Sequence, residues 1–540
     1  MATYKLAAIF RNSTNNDEFL IVKQNPPPKY EDQEYDSYVD SDLWDLPSAK
    51  LASLSPEAAD SPTQIVLKGE DACPHKLNLR KFNLHSAFQE VLGQVGIRSV
   101  SDVEWTFLKF VEEPNFGPGF AIETVYVTGD LVPNFGTLKD DCRWSCRETC
   151  LSLLVQVKPG GDRVGALVVN GPLKDSIRSD FLKLSPSLHC QEYPPGVNII
   201  PMGSRTAKPF RTTNLIVFAP GNNSVKNESG HFVAQGDAMI VDPGCRSEFN
   251  EELAEIVAAL PRKLVVFVTH HHRDHVDGLY TVQKRNPEAC LLVHENTMGR
   301  IKKDDWSSAY TTVSGTEEIC IGGERLRIIS APGHTDGHLA LLHVSTNSLI
   351  VGDHCVGQGS AVLDITSGGN MSDYFQTTYR FMELSPNALI SMHGRINLWP
   401  KHMLCGYLKN RRNREDTILK AIEAGFNTLY DIVAYTYADV DRSVWVHAAS
   451  NVRLHVEHLD HQNKLPKDFS LENFNNSYSQ FTIQEFSVPK FQSTCTVHFF
   501  SKWVWAYFTS HVNFRAAMLF GAVTASGVAM LYYVKKQSQF

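Results

Sequence analysis

Short apolar runs recur through the middle of the chain, and each run stands directly before a histidine, an acid or a short loop that contains one. Runs of about four to eight apolar residues rich in β-branched side chains are typical of strands buried in a sheet. The sequence therefore predicts buried strands whose ends present polar side chains. The runs are Ala238 to Val241, Lys263 to Thr269, Arg325 to Ile329, Leu349 to Gly352 and Leu389 to Met392.

A different pattern precedes these runs and predicts a separate α+β region. Strand-like segments are accompanied by a proline-rich, acidic loop and by one stretch in which apolar residues have helical spacing. The strand-like segments are Tyr4 to Arg11, Glu18 to Gln24, Trp105 to Val111 and Ala121 to Val127, the loop covers Asn25 to Asp42, and the helix candidate is Leu84 to Leu92. A polar stretch near Gly160 to Asp180 marks the end of this region.

After the last buried run the apolar spacing becomes helical. Apolar residues that recur every three to four positions predict helices with one buried face. The sequence therefore predicts a helical extension after residue 400, in addition to one helix that precedes the last buried run. The helix candidates are Gly369 to Leu384, Leu408 to Ala424, Leu429 to Tyr437 and Ser443 to Leu459.

The final apolar stretch, Ala516 to Val534, contains nineteen residues without a charge and is bounded by basic residues on both sides. Nineteen residues are about the minimum for a helix that crosses a bilayer. We expect a transmembrane tail anchor over residues 513–536, with the body of the protein facing the cytosol on the outer surface of a mitochondrion, plastid or peroxisome. Small residues within the stretch favour the alternative, a buried C-terminal helix.

Composition and charge narrow the function only slightly. The chain has 540 residues, of which 43% are hydrophobic and 20% charged, enough for about two to four domains. A formal net charge of −8 gives no general attraction to nucleic acid, so RNA binding would need a local basic patch. The eleven cysteines form no CxxC pair, and the N-terminus lacks an apolar signal segment. A reducing compartment without disulfides is expected.

The strongest chemical signal is the segment from His270 to His275, HHHRDH, which follows a buried run and contains HxHxDH. Side chains that leave a strand end and the following turn can converge on two neighbouring cations, because imidazoles and carboxylates are metal ligands. A single histidine is more often a capping or solvated residue. Five ionisable donors within six residues are too many for that explanation. Capping or solvation is still expected for the individual residues His271, His294, His338 and His354.

With the polar residues at the other strand ends, this segment resembles the metallo-β-lactamase superfamily over residues 197–400. The motifs are Asp242-Pro243-Gly244, the segment Ser330 to His338, and the strand ends at Asp353 and His393. The resemblance implies an αββα sandwich with a dinuclear metal site, and an early aspartate that orients a ligand histidine. The implied ligands are His270, His272 and His334 for the first metal, Asp274, His275 and His393 for the second, and Asp353 for both, with Asp242 as the orienting acid.

The resemblance also implies the cofactor and the chemistry. Two Zn²⁺ ions suit imidazole and carboxylate ligands, and Mn²⁺ or Fe²⁺ would suit them too. Two cations about 3.5 to 4 Å apart lower the pKa of a bridging water and stabilise a developing oxyanion. The predicted protein is a zinc-dependent hydrolase that uses a bridging hydroxide. Asp274 is the predicted catalytic residue, which orients the hydroxide and takes up its proton.

The N-terminal region resembles a Nudix domain. In that family a W-[DE]-L-P-G-G strand end precedes a helix with the pattern R-E-x-x-E-E-x-G, whose glutamates hold Mg²⁺ against a diphosphate. Here the strand end reads LWDLPSAK from Leu43, Glu90 alone remains of the helix acids, and Gly93 and Gln94 replace the paired glutamates. The resemblance implies a degenerate Nudix-like domain that binds or scaffolds, and an unrelated α+β domain is the alternative.

The region after residue 400 resembles the winged-helix-like extension of the β-lactamase-like protein 2 subfamily, on the segments NRRNRE from Asn410 and VEHL from Val456. That subfamily includes thioesterases and an endoribonuclease that prefers single strands. A small-molecule thioester or ester is therefore one predicted substrate, and single-stranded RNA is the alternative partner. A membrane-tethered scaffold with a vestigial site is a third possibility. RNA would contact the basic run Lys409, Arg411, Arg412 and Arg414.

The predicted fold class is α/β: an αββα metallo-β-lactamase sandwich with a winged-helix-like helical extension, preceded by an α+β Nudix-like domain and followed by one transmembrane helix. The predicted partners are a small-molecule substrate, single-stranded RNA in the alternative function, and a membrane through the C-terminal helix. The predicted boundaries are 1–185 for the Nudix-like domain, 190–400 for the sandwich, 401–470 for the extension, 471–512 for a linker and 513–536 for the anchor.

Overall fold

A computed structural model of the chain describes residues 2–477, except for 13, 16, 55–66, 70–73, 75–76, 98–99, 101–102, 132–136, 156–160, 175–188 and 221–230. The chain divides into two compact units. The first comprises residues 1–363 and 370–414, and the second comprises residues 364–369 and the chain from residue 415 onwards. Three β-sheets lie in the first unit, whereas the described part of the second unit consists of helices and short loops.

The N-terminal region of the first unit is built on an eight-stranded mixed sheet with the order β5-β6-β1-β2-β3-β8, in which β4 pairs with β1 and β7 with β2. Strand β1 runs parallel to β6 and antiparallel to β2. The strands are β1 (Thr3–Arg11), β2 (Glu18–Gln24), β3 (Leu43–Asp45), β4 (Ser48–Lys50), β5 (Val103–Glu112), β6 (Ile122–Leu131), β7 (Cys142–Cys146) and β8 (Arg163–Val164), with helices α1 (Leu84–Val95), α2 (Arg147–Val155) and α3 (Ala166–Val168).

Helix α1 packs on one face of this sheet because its apolar residues recur at helical spacing. Phe88 and Val91 are fully buried and share a core with Phe10 of β1. The side chain of Gln94 bonds the main chain of Ser48 on both sides, accepting from its N–H at 3.1 Å and donating to its carbonyl at 2.8 Å. Gln94 therefore ties the helix to β4 at the position where the Nudix pattern has a glutamate.

Two further sheets form the second region of the first unit. One has the order β16-β15-β14-β13-β11-β10-β9 and the other β12-β17-β18-β19-β20-β21. Their strands are β9 (Gln191–Glu192), β10 (Val197–Gly203), β11 (Thr212–Phe218), β12 (Ala234–Gly236), β13 (Ala238–Val241), β14 (Leu264–Phe267), β15 (Cys290–Val293), β16 (Tyr310–Thr312), β17 (Glu318–Ile321), β18 (Glu324–Ser330), β19 (Leu339–His343), β20 (Ser348–Gly352) and β21 (Ala388–Ser391).

The two sheets face each other across one apolar core. Phe218 and Phe267 from the first sheet pack there with Leu341, Ile350 and Ile390 from the second. The opposite face of the first sheet buries its residues against two helices, α4 and α6. The helices of this region are α4 (Asn250–Ala259), α5 (Arg273–Val276), α6 (Leu279–Arg285), α7 (Glu295–Met298), α8 (Met371–Leu384) and α9 (Pro400–Glu423).

The start of α9 is capped by a residue far away in the sequence. The carboxylate of Asp40 accepts hydrogen bonds from the backbone N–H groups of Lys401 and His402, both at 2.9 Å. These N–H groups lie in the first helical turn and have no partner within the helix. The N-terminal region thus supplies the cap for a helix of the following region, within the same compact unit.

The second unit has its own apolar core. Ile432 and Val433 of α10 pack against Val452 of α11 and against Phe474 of α12. Thr428 and Ser470 cap α10 and α12 with their side-chain oxygens. The helices are α10 (Leu429–Thr436), α11 (Trp445–His461) and α12 (Leu471–Asn476).

The predicted transmembrane helix requires a correction. Among the described residues, no helix combines the length and the apolar composition that a bilayer crossing needs, and residues 513–536 lie outside that part of the chain. The fold class is therefore corrected to an α/β fold with a helical C-terminal unit. The transmembrane helix, the membrane partner and the tail-anchored location on an organelle surface are not supported and are withdrawn.

One buried carboxyl group in the N-terminal region has an unusual environment. Asp45, at the end of β3, accepts hydrogen bonds from the backbone N–H groups of Leu46 at 2.9 Å and Val168 at 2.8 Å. Burial raises the pKa of Asp45 from 3.8 to about 6, although these N–H groups act against the rise. Asp45 therefore joins β3 to α3 and takes up a proton within a mildly acidic range.

We expect the free energy of unfolding to reveal this proton. Between pH 3.8 and about 6 the folded Asp45 stays protonated while the unfolded residue ionises, so its contribution to stability is complete below that window and is lost as pH rises through it. At ~1.4 kcal/mol per pKa unit, the loss is about 3 kcal/mol. Urea denaturation monitored by tryptophan fluorescence should show Asp45→Asn gaining about that much, relative to wild type, between pH 4 and pH 7.

The control is Asp36→Asn, because Asp36 is exposed. Its stability difference from wild type should be the same at both pH values. A pH-independent difference for Asp45→Asn as well would contradict the prediction.

Candidate metal centre

The site is built from loops that follow the strands of the two facing sheets. Strand β14 ends at Phe267, and the chain then turns through His270 and His272 into the short helix α5, which carries Asp274 and His275. His334 follows β18, and the site is completed by residues directly after β20 and β21. Because these strand ends meet at one edge of the sandwich, residues distant in sequence come together there.

Three histidines form the first group of converging donors. Nε2 of His270 and Nε2 of His334 lie 3.0 and 3.1 Å from Nδ1 of His272. Both Nε2 atoms also lie 3.9 Å from Oδ2 of Asp353. His270 is fully buried and His334 nearly so. Four side chains from three different loops thus point into one small volume.

A second group lies next to the first. Nε2 of His393 is 3.4 Å from Oδ2 of Asp274 and 3.3 Å from Oδ1 of Asp353. Nε2 of His275 is 3.9 Å from the same Asp274 oxygen and 3.5 Å from the same Asp353 oxygen. The two carboxylate oxygens of Asp353 therefore face different groups, Oδ2 the first and Oδ1 the second. The structure brings together all seven residues predicted as ligands from the sequence.

The donor atoms fit a pair of divalent cations. Ligand atoms around a tetrahedral Zn²⁺ lie about 3.3 Å from one another, close to the spacings in both groups. In addition, Nε2 of His275 and Oδ1 of Asp353 are buried and have no hydrogen-bond partner within the part of the chain that the structure describes. A buried polar atom without a partner is costly, and a cation between these atoms would satisfy both. Imidazole and carboxylate donors identify a divalent metal as the group that fits, without distinguishing zinc from its neighbours.

The electrostatics of the second group also favour a cation. Burial acts to lower the pKa of His275, but the carboxylates of Asp353, Asp274 and Asp242 outweigh it and raise that pKa well above its usual value. Burial acts to raise the pKa of Asp353, but the imidazoles of His393 and His275 hold it well below its ordinary range. The buried acids therefore create a negative potential, which a metal ion would neutralise in place of protons.

Asp242 organises the first loop from beneath. Its Oδ1 accepts from the N–H of Thr269 at 2.7 Å, and its Oδ2 accepts from the Thr269 hydroxyl at 2.6 Å and from Nδ1–H of His275 at 2.8 Å. Donating from Nδ1 leaves the His275 Nε2 as the lone-pair atom towards the site. The glycine of the same Asp-Pro-Gly turn allows close packing, because a Cβ on Gly244 would lie 1.7 Å from the carbonyl oxygen of Asp274.

A buried histidine that was expected to be capping or solvated supports the shared ligand. His338 is only 1% exposed, and its Nε2 accepts from the backbone N–H of Asp353 at 3.1 Å. Burial lowers the pKa of His338 to about 4, which keeps the ring neutral and its Nε2 able to accept. Gly352 makes this contact possible, since its φ is +57° and a Cβ would lie 2.3 Å from that Nε2.

Of the other non-ligand histidines, His294 agrees with the expectation from the sequence and His354 does not. His294 caps α7, with Nδ1 accepting from the backbone N–H of Asn296 at 3.1 Å, as expected from the sequence. His354 is a correction, because it is fully buried and its Nε2 lies 2.8 Å from the hydroxyl of Thr378. Burial lowers the pKa of His354 well below its usual value. The expectations for His338 and His354 were wrong because burial of a ring depends on tertiary packing, which no local pattern reports.

Sequence reasoning also missed the residue that fixes His393. Asn214 of β11 is 1% exposed, and its Nδ2 donates to the carbonyls of Ser391 and Gly394, both at 2.8 Å. Nδ1–H of His393 donates to the carbonyl of Thr212 at 2.9 Å. The ligand is thus held by backbone and side-chain contacts with the neighbouring sheet. A lone asparagine within an apolar strand was the available signal.

The basic run on α9 is occupied by contacts with the protein. Arg411 is 2% exposed and donates to the carbonyl of Ala361. Three of the four predicted RNA-contacting residues have aromatic or acidic partners in the first unit. These contacts are Lys409 Nζ over the Tyr30 ring at 5.0 Å, the Arg411 guanidinium over the Tyr374 ring at 4.8 Å, and Arg412 to Oε1 of Glu34 at 2.8 Å.

Comparison with known proteins places the site in a family context. Residues 230–388 match the Metallo-beta-lactamase superfamily, and residues 428–468 match the Beta-lactamase associated winged helix domain. The first match contains His270, His334 and Asp353, while His393 lies just beyond its end. The second match lies within the helical second unit.

Individual relatives are similar at lower levels of identity. A Beta-lactamase-like protein 2 homolog of Drosophila melanogaster is 25% identical over 211 residues, covering 37% of this chain and 69% of the relative. Its namesake in Caenorhabditis elegans is 24% identical over 268 residues, with 48% and 86% covered. A Hydroxyacylglutathione hydrolase of Synechococcus sp. (strain JA-3-3Ab) is 31% identical over 116 residues, with 22% and 43% covered.

Replacing Asp242 by Asn should weaken metal binding. Asn retains the size of the side chain but replaces one acceptor oxygen by a donor, so it cannot serve both Thr269 and His275. Outer partners of metal ligands typically contribute about 10- to 100-fold in affinity, and we expect a loss of that size in Zn²⁺ titrations followed by calorimetry. Asp237→Asn is the matched control, because Asp237 lies in the same region and is exposed. Equal affinities in the two variants would contradict this role.

Gly352→Ala should reduce metal binding at both donor groups. The added Cβ would clash with Nε2 of His338 and displace Asp353. Because the two oxygens of Asp353 face the two groups, both groups would lose a correctly placed donor. We expect metal content per chain, measured by elemental analysis after dialysis, to fall well below that of wild type. Gly323→Ala is the control, since Gly323 also has a positive φ, of +89°, but no atom of the described residues lies within 4 Å of its added Cβ. Loss of metal in both variants would assign the effect to backbone strain instead of the clash with His338.

Proposed function

Because this chain carries a metallo-beta-lactamase superfamily domain, we propose that it is a dinuclear metal hydrolase acting on a small-molecule thioester or ester. The observation that carries the proposal is the division of Asp353 between the two donor groups. One of its oxygens lies 3.9 Å from His270 and His334, and the other lies 3.3 Å from His393. A carboxylate placed in this way is suited to bridge two cations.

We propose Zn²⁺ at both positions, with Mn²⁺ or Fe²⁺ as alternatives. The first ion would be held by His270, His272 and His334, the second by Asp274, His275 and His393, and both by Asp353. When bound, such a pair of cations activates water near neutral pH and offsets negative charge that develops on the substrate oxygen.

The chain's own residues would orient the attacking water and accept its proton. Asp274 is partly accessible, with a side-chain exposure of 15%, whereas His270, His275, His334 and His393 are buried. It has a second oxygen besides the one near His275 and His393. We assign Asp274 the role of holding the attacking water and taking its proton. Neither a serine nor a cysteine nucleophile is required for this chemistry.

The thioester substrate is supported by the names of relatives. Several similar proteins are hydroxyacylglutathione hydrolases, including those of Synechococcus and Gloeobacter violaceus, and that name denotes hydrolysis of an acyl group joined to a thiol. These relatives match over 22% and 31% of this chain. A formal charge of −8 is also more compatible with a small substrate than with a polyanion.

Cleavage of single-stranded RNA is the alternative activity, and the contacts of α9 disfavour it. Phosphate binding requires cationic groups that can reach the backbone of the nucleic acid. Arg411 is buried, and Arg412 is paired with Glu34 and Tyr379. The basic run therefore offers fewer accessible charges than its sequence suggests.

A scaffold with a vestigial metal site is the third alternative, and the complete ligand set disfavours it.

For the N-terminal region we keep the proposal of a degenerate Nudix-like domain over residues 1–185, followed by a metal-binding domain over 190–400 and an extension over 401–470. The bonds from Gln94 to Ser48 support a structural use of the position where a Mg²⁺-binding glutamate would stand.

The proposal is tested with the full chain on a substrate panel. Acyl-glutathione and acyl-coenzyme A thioesters, an oxygen ester and single-stranded RNA are each incubated with wild type, His272→Ala and Asp274→Ala. We expect thioester hydrolysis by wild type, and a fall in kcat/KM on the order of 10³ in both variants, because several kcal/mol of transition-state stabilisation depend on the metal site.

His231→Ala provides the control, since His231 is exposed and lies outside both donor groups. It should hydrolyse the thioesters at the wild-type rate. RNA cleavage that disappears in both site variants would replace the thioester proposal by the nuclease. A metal content below one equivalent per chain, without turnover of any substrate, would favour the scaffold.

A further inference from the structure

The loop of residues 113–121, between β5 and β6 of the N-terminal region, reaches the metal centre. Phe116 in this loop is 3% exposed and packs in the core between the two facing sheets, with Val197 and Met392 among its cluster. Gly117 lies against Phe210, whose ring carbon Cδ1 would be 3.0 Å from an added Cβ. The Phe210 ring centroid is in turn 5.6 Å from that of His393. The loop is therefore anchored in the region that carries the ligands.

A two-pronged ion pair strengthens this anchor. Nε and Nη2 of Arg395 donate to the two carboxylate oxygens of Glu113 at 2.6 and 2.9 Å. Nη2 also donates to the carbonyl of Phe120 at 2.6 Å. Glu113 is 13% exposed at its side chain and accepts from the backbone N–H of Ile122 at 2.7 Å. Paired, partly buried bonds of this kind fix both orientation and distance.

Arg395 stands two positions after the metal ligand His393, and the residue between them is tightly constrained. Gly394 has a φ of +90°, and an added Cβ would lie 2.8 Å from Cα of Gly357. The N–H of Gly357 donates to the carbonyl of His393 at 2.8 Å. With so little freedom in this turn, a displacement of Arg395 would shift the backbone of His393.

We propose that loop 113–121 is a positioning element of the metal site, and that the Glu113–Arg395 pair sets the affinity for the second metal ion. This inference rests on the proposed dinuclear function. The ion concerned is the one assigned to Asp274, His275 and His393, whereas the first donor group receives no residue from this turn. Glu113 belongs to neither donor group, and it acts through Arg395.

The experiment compares the full-length wild type with Glu113→Gln, which has the same size but lacks the charge. Co²⁺ is titrated into metal-free protein, and binding is followed by its visible absorption and by calorimetry. We expect the second ion to bind about 10- to 100-fold more weakly in the variant, the range for outer partners of metal ligands, while the affinity of the first ion stays within threefold of wild type.

Glu318→Gln is the matched control. Glu318 forms a similar two-pronged pair with Arg325, at 2.7 and 2.6 Å, on β17 and β18 and away from the donor groups. It should bind both ions as wild type does. A weakened second ion in the control as well would assign the effect to general loss of an ion pair and overturn the inference.

Arg395→Lys is a second variant that keeps the positive charge but loses the planar fork. Arg395→Lys tests the inference if circular dichroism shows that Glu113→Gln does not fold. We expect the same selective loss of affinity for the second ion. Unchanged affinity for the second ion in a folded variant overturns the inference alone. A wild-type chain that binds fewer than two ions overturns both the inference and the dinuclear function.

Discussion

The metal centre depends on the hydrogen bonds of one fully buried carboxylate. Asp242 has 0% exposure, and its oxygens accept from Thr269 twice and from His275 once. Burying a charge is expensive unless hydrogen bonds satisfy it. Because Thr269 directly precedes the HxHxDH segment, these bonds fix the path of the loop that carries most of the ligands. They also fix which nitrogen of His275 faces the site.

Hydrogen bonds to neutral residues hold two further donors of the site, Asp353 and His393. Asp353 is held by its backbone N–H on His338, and His393 is held by Thr212 together with the clamp of Asn214 on the adjacent carbonyls. His275, Asp353 and His393 are therefore each oriented by residues outside the two donor groups. This arrangement keeps the donor atoms close together although several of them repel one another when charged.

The convergence of the seven donors was predictable because each donor follows an apolar run, and the HxHxDH spacing is local. The supporting residues were not, because they act across long sequence separations. Asn214 bonds the carbonyl of Ser391, 177 positions away, and Glu113 bonds Arg395, 282 positions away. The local sequence also suggested an accessible basic run, whereas packing of α9 buries Arg411. The predicted membrane helix was corrected because no helix among the described residues is long and apolar enough to cross a bilayer.

The cap of α9 by Asp40 has a consequence for how this protein can be divided. A fragment that began at residue 190 would lose the carboxylate that accepts from Lys401 and His402, and it would open the core position that Phe116 fills. The predicted domain boundary lies near that residue, but the contacts of Asp40 and Phe116 cross it. Deletion or exchange of the N-terminal region would therefore remove contacts on which the region that carries the donor groups depends.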